Sequence, residues 1–88
     1  MHPKTRTESM ERLKKIQGQI AGISRMIAEN RDCTEIIQQI ASAEQALHRV
    51  GELVLSAHLN YCVQKIEKNP KMAEEVKNLV KAVLTYRR

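Results

Sequence analysis

Eighty-eight residues make one domain at most, and long rod-like elements in so small a chain bury little apolar surface alone, so association of copies is the expected source of stability. With no Trp, no Phe and only Tyr61 and Tyr86 as aromatics, the core must come from Ile, Leu, Val, Ala and Met, which suits helix packing and argues against a sheet. Fifteen Lys plus Arg against ten Asp plus Glu leave a formal charge of +5, suited to a polyanion, while no apolar run approaches the roughly 20 residues of a membrane span.

Residues 1–8 carry Pro3, two threonines and charges without apolar periodicity, and read as a mobile tail; residues 9–88 read as one helical domain. From Ser9 onward Leu13, Ile16, Ile20, Ile23 and Ile27 recur at steps of three and four, which predicts a first helix over about residues 8–29. Gly18 and Gly22, four apart inside it, each cost about 1 kcal/mol of propensity relative to Ala and suggest close approach by another backbone. Asn30-Arg31 breaks the pattern. Asp32, three residues before Glu35, then resembles a capping box ahead of Ile36-Ile37. The second helix meets no stop until Asn69-Pro70, giving about 35 residues and on the order of 50 Å. Asn69 as N-cap with Pro70 at the first helical position opens a third helix, with Met72, Val76, Leu79, Val80 and Val83 on its apolar face and Tyr86-Arg87-Arg88 at its end. Three helices joined by short turns predict an antiparallel bundle that cannot bury its apolar stripes unaided.

The polar N-terminal stretch MHPKTRTESMERLKK has no leader character, so a cytoplasmic location is expected. There two cysteines seldom form a structural disulfide, leaving ligand, redox or core roles. His58 and Cys62 stand four apart on the second helix, the spacing that lets two side chains of one face reach one ion. Taken alone the pair reads more simply as a small core cysteine beside an interfacial histidine. Cys33 changes the balance.

Cys33 lies near the start of the same helix, about 25 residues or roughly 38 Å from His58 and out of its reach within one chain. Two copies of the helix packed antiparallel about a two-fold axis, with the midpoint near Ala46 and Leu47, would bring Cys33 of one copy to His58 and Cys62 of the other. Steps of about 3.5 residues from Cys33 pass through Ile36, Ile40, Ala43, Leu47, Val50, Val54 and then Ala57 or His58, so the candidate ligands share one seam. A homodimer with two equivalent sites is expected. Two thiolates and one imidazole form a soft, low-coordinate set that best matches Cu(I); zinc normally wants a fourth ligand, and nickel or cobalt more nitrogen, which His2 could supply. His48 lies off the seam and is expected to face the surface or stand behind a ligand.

The runs R-L-K-K-I-Q-G-Q at 12–19, D-C-T-E-I-I-Q-Q-I-A-S-A at 32–43 and H-L-N-Y-C at 58–62, with the spacing C-x24-H-x3-C, resemble the CsoR/RcnR transcriptional repressors across nearly the whole chain. The copper-sensing branch is the most similar. The resemblance implies an all-α fold: three-helix protomers with a long central helix, paired as antiparallel dimers and assembled as a dimer of dimers, without a helix-turn-helix. It implies a repressor that holds operator double-stranded DNA when metal-free and lets go when Cu(I), one per protomer, enters a trigonal site between subunits. The ligands would be Cys33 from one subunit and His58 and Cys62 from the other. DNA contacts map onto Arg12, Lys14, Lys15, Gln19 and Arg49, and Glu75 onto a carboxylate that partners the histidine. Independently of the resemblance, Arg12 and Lys15 lie three apart on a face away from Leu13, Ile16 and Ile20.

One departure opens an alternative. Copper sensors often carry Tyr before the first cysteine, where this chain has Asp32; an Asp there also occurs in persulfide-sensing relatives, whose two cysteines react with sulfane sulfur and become bridged across subunits. Those relatives usually lack the histidine, so His58 points to copper. Nickel, cobalt and formaldehyde sensors usually have His in place of Cys62. Outside regulation, a helical module whose stripes merely bind partner helices is the competing reading. An enzyme is not expected, since there is no Ser/His/Asp set, phosphate loop or carboxylate pair with a cleft to serve.

Overall fold

The computed structural model describes residues 1–69, 71 and 73–86, the side chains of 66–68 excepted. Three helices follow in order, α1 (Pro3–Ala28), α2 (Cys33–Lys68) and α3 (Ala73–Tyr86), with no strand among the described residues. α2 is the spine at 36 residues. α1 and α3 each pack on it and, among the described residues, not on each other. The whole measures 56 × 26 × 13 Å. Since one helix with its side chains is about 10–12 Å across, the chain is a single layer of helices.

A single layer encloses little. Among the described residues Ile16, Ala43, Val50 and Cys62 are the buried apolar ones, while Ile20, Ile27, Ile37, Leu47 and Leu84 stay exposed. Within the expected seam, Ala43 and Val50 are already covered inside the chain and Leu47 between them is open.

The helix ends follow from local chemistry. α1 begins at Pro3 rather than near residue 8, because His2 caps it: Nδ1 accepts the Lys4 N–H at 3.1 Å, and Pro3 occupies a position whose own N–H would be unsatisfied. Residues 3–8, expected as a tail, are therefore helical. α1 ends where Asn30 turns left-handed (φ 55°), with the Asn30 N–H on the Ile27 carbonyl and the Arg31 N–H on the Met26 carbonyl, a Schellman pattern. Asp32 caps α2 by accepting the Thr34 N–H at 3.2 Å. Glu35 pairs with Arg31 instead, so the capping box is only half made. Asn69 closes α2 and its Oδ1 accepts the Lys71 N–H. α3 is described from Ala73. Pro70, Met72, Arg87 and Arg88, assigned above to the start, apolar face and end of that helix, lie outside the described residues.

The close approach expected at Gly18 and Gly22 is not made among the described residues, for a Cβ at either would meet nothing of them within 4 Å. It occurs at Gly51. The Tyr86 ring fills the space a Cβ there would take, its hydroxyl donates to the Leu47 carbonyl at 3.1 Å, and its ring meets His48 edge-on at 4.4 Å between centroids. His48 is thus half-buried under α3.

Candidate metal centre

Helical periodicity brings His58 and Cys62 together on consecutive turns of α2, with Nε2 of the ring 3.7 Å from Sγ. Metal bonds of about 2.0–2.3 Å place two ligands of one ion roughly 3.6–3.8 Å apart for angles between tetrahedral and trigonal. The observed separation fits. Cys62 is fully buried and His58 half exposed, so the thiol approaches from the protein side and the imidazole from the surface.

α3 adds a third donor. Glu75 Oε1 lies 4.0 Å from the same His58 Nε2, and the donor atoms of His58, Cys62 and Glu75 all fall within 4.8 Å of one another. The carboxylate expected to partner the histidine is thus within reach of it. A ring nitrogen that binds a metal carries no proton, so a loaded imidazole would have to donate to Glu75 from its other nitrogen.

Tyr61 stacks alongside His58 with centroids 6.2 Å apart, and Lys65 Nζ sits 4.9 Å over the Tyr61 ring. Tyr61 raises the pKa of Lys65 against the opposing desolvation, with smaller upward contributions from Glu75 and Cys62, so a cation stands beside the cluster. Neither Tyr61 nor Lys65 figured among the expected site residues. Their places at three and four residues from His58 and Tyr61 were the available signal.

Cys33 is not part of this cluster. It is the first residue of α2, exposed, at the end of the helix remote from His58. His2 is nearer: with Met1 and Thr5 it lines a hollow of about 530 Å³ that His58 and Tyr61 close from α2. Its Nδ1, however, is engaged in capping α1.

The expected DNA contacts fall into separate groups. Arg12 of α1 and Arg49 of α2 line one hollow of about 480 Å³ with Glu52 and Ser56, so the packing of α1 on α2 brings the two guanidinium groups to one surface. Arg12 also pairs with Glu8 at 3.3 Å. Lys15 shares a second hollow with Arg12 and Gln19, whereas Lys14 belongs to a hollow with Pro3, Met10 and Gln17 on another side of α1. Gln19 donates its side-chain amide to Ser42 Oγ at 3.0 Å, tying α1 to α2. No helix is long and apolar enough to cross a membrane among the described residues.

Residues 5–85 match the family model described as metal-sensitive transcriptional repressor. Among curated proteins, the copper-sensing transcriptional repressor RicR of Mycobacterium tuberculosis is 38% identical over 55 residues, covering 62% of this chain and 57% of its own length. The copper-sensing transcriptional repressor CsoR of Bacillus subtilis is 35% identical over 60 residues, covering 68% of this chain and 59% of its own length. The matches thus span less than two thirds of either relative. Among solved structures, the copper-sensing repressor CsoR with Cu(I) from Geobacillus thermodenitrificans superposes with a TM-score of 0.85 at 30% identity, over 100% of this chain and 92% of that one. The nickel-responsive regulator InrS gives 0.79 at 32% identity, over 91% and 90%.

Proposed function

The chain belongs to the family of metal-sensitive transcriptional repressors, and on that premise we propose that it is a Cu(I)-responsive repressor, holding operator double-stranded DNA when metal-free and releasing it when Cu(I) binds, one per protomer. The observation that carries this reading is the 3.7 Å pair of His58 and Cys62 at one end of α2, with the exposed thiol of Cys33 at the other. About 25 helical residues hold these ends roughly 38 Å apart, so a two-thiolate site takes Cys33 from a second, antiparallel copy of α2. Exposed Ile37 and Leu47 supply apolar surface for that pairing. Assembly of dimers into a tetramer is the further expectation from the resemblance.

Cu(I), when bound, supplies a soft Lewis-acid centre that joins two thiolates and an imidazole across two copies. The chain's own residues do the rest. Cys33 and Cys62 give up their protons, His58 presents an unprotonated nitrogen, and Glu75 orients the ring through the other one. Arg12 and Arg49 face phosphates from one surface, with Lys15 beside them and Lys14 reaching from another side of α1. Gln19 serves this surface by holding α1 in register with α2 through Ser42. Linkage requires DNA to weaken Cu(I) binding by the factor by which Cu(I) weakens DNA binding, commonly about 1–3 kcal/mol.

The test is a titration of reduced, full-length protein with Cu(I) while it is bound to duplex selected for affinity to the metal-free protein. Release complete at about one Cu(I) per protomer is expected; unchanged DNA affinity at saturation would refute the reading.

A second reading has one observation in its favour: the Cys33 thiol is free and exposed, open to a reagent from solution. In it, Cys33 takes a sulfur atom from a polysulfide, which leaves one sulfur shorter. Cys62 of another copy then attacks the Cys33 sulfur, expelling hydrosulfide and forming an intersubunit disulfide. His58→Ala separates the two, abolishing the copper response and sparing the sulfur response.

A further inference from the structure

Besides a half-buried stripe of Val76, Leu79 and Val83, α3 meets α2 near its two ends by different polar and aromatic contacts, and no described residue of α3 is fully buried. Near its start, Glu75 meets His58 through an exposed pair at 4.0 Å, too weak to hold a helix in place. At its last described residue, Tyr86 enters the notch at Gly51, the only glycine of α2. There its ring packs against His48 and its hydroxyl reaches the Leu47 carbonyl. Between these ends Val76, Leu79 and Val83 are half-buried, whereas Val80 and Leu84 remain exposed. Among the described residues Tyr86 gives the only hydrogen bond from α3 to α2, and any side chain at position 51 would expel its ring.

We infer that Tyr86 is the positioning residue for Glu75: by seating in the Gly51 notch it fixes α3 on α2 and so sets the Glu75 carboxylate against His58. Tyr86 never touches the metal donors. It acts along a short, stiff helix whose far end carries the carboxylate, and losing the seat frees α3 to swing that carboxylate away. The consequence for metal binding rests on the copper reading above; the seat itself does not.

The test uses the full chain with Gly51→Ala, which suits the helix but fills the notch, and Tyr86→Ala, which empties it. In metal-free protein, amide exchange over Ala73–Tyr86 should quicken about tenfold or more in either variant, with α1 unchanged. Unchanged exchange in α3 would overturn the inference. In competition with a chromophoric Cu(I) chelator, each variant should bind Cu(I) about tenfold more weakly, as loss of a ligand's hydrogen-bonding support does. Neither should weaken binding further in a Glu75→Gln background, because the seat acts through that carboxylate. Additive losses would overturn the positioning role. If the unmodified chain takes up no Cu(I), the copper reading and the role at the metal both fall, while the exchange measurement still decides the seat.

Discussion

The imidazole of His58 and the thiol of Cys62 meet at 3.7 Å on successive turns of one helix, so two of the three proposed ligands are organised by a single chain. Cys33 and Cys62 consequently have unlike surroundings despite their equal proposed roles. Cys62 is fully buried, and Cys62→Ser, which puts a hydroxyl in its place, should lower the stability of metal-free protein by about 1–3 kcal/mol. Cys33→Ser, at an exposed position, should change it by less than about 0.5 kcal/mol. Both should abolish tight Cu(I) uptake. Chemical denaturation with and without Cu(I) reads both effects.

Arg12 and Arg49 share a hollow across the α1–α2 contact, whereas Gln19 is engaged with Ser42. Arg12→Ala and Arg49→Ala should each weaken DNA binding and flatten the dependence of log affinity on log salt by about one unit. Gln19→Ala should leave the slope unchanged and cost about 1 kcal/mol of stability through the lost interhelix bond. Salt titrations of DNA binding and thermal unfolding distinguish the two kinds of residue.

A Cβ at Gly18 or Gly22 meets nothing of the described residues within 4 Å, so these positions carry the helix cost of glycine with no packing return among them. Gly18→Ala and Gly22→Ala should each stabilise the protein by up to about 1 kcal/mol in dilute thermal unfolding. A loss of stability that deepens on dilution would instead place both glycines at a contact between copies.

What was readable in the chain was what is local. The helix that carries Leu13 to Ile27, the Asp32 cap and the four-residue step from His58 to Cys62 are set by local chemistry and stand where the spacing puts them, although Ile20 and Ile27 of the stripe stay exposed. The start of α1 was misplaced because His2 caps it with a ring nitrogen, in a stretch with no apolar rhythm to signal a helix. The role of Gly51 was invisible for another reason. Its partner, Tyr86, lies on a different helix, and no pattern around residue 51 names it. Gln19 likewise carries a motif resemblance while its amide is occupied by Ser42, a pairing that only tertiary packing creates. The flatness of the chain, with α1 and α3 both on α2 and apart from each other, is also a property of packing.

Asp32 holds the first turn of α2, the turn that carries Cys33, through the Thr34 N–H. Asp32→Ala should cost about 1 kcal/mol and fray that turn. Faster amide exchange confined to the first turn of α2 is the expected signature, while Asp32→Asn, which retains a capping oxygen, should behave nearly as the unmodified chain.

The central claim is that Cys33 of one copy completes the His58 and Cys62 pair of another, and subunit complementation tests it most directly. Cys33→Ala and Cys62→Ala proteins, each unable to bind Cu(I) tightly alone, are unfolded together in equal amounts and refolded. Random pairing makes half the dimers mixed, each with one intact site, so tight binding should return at about one Cu(I) per four protomers. No recovery in a mixture shown to contain mixed dimers would contradict the account, because a site within one chain loses a ligand in every copy.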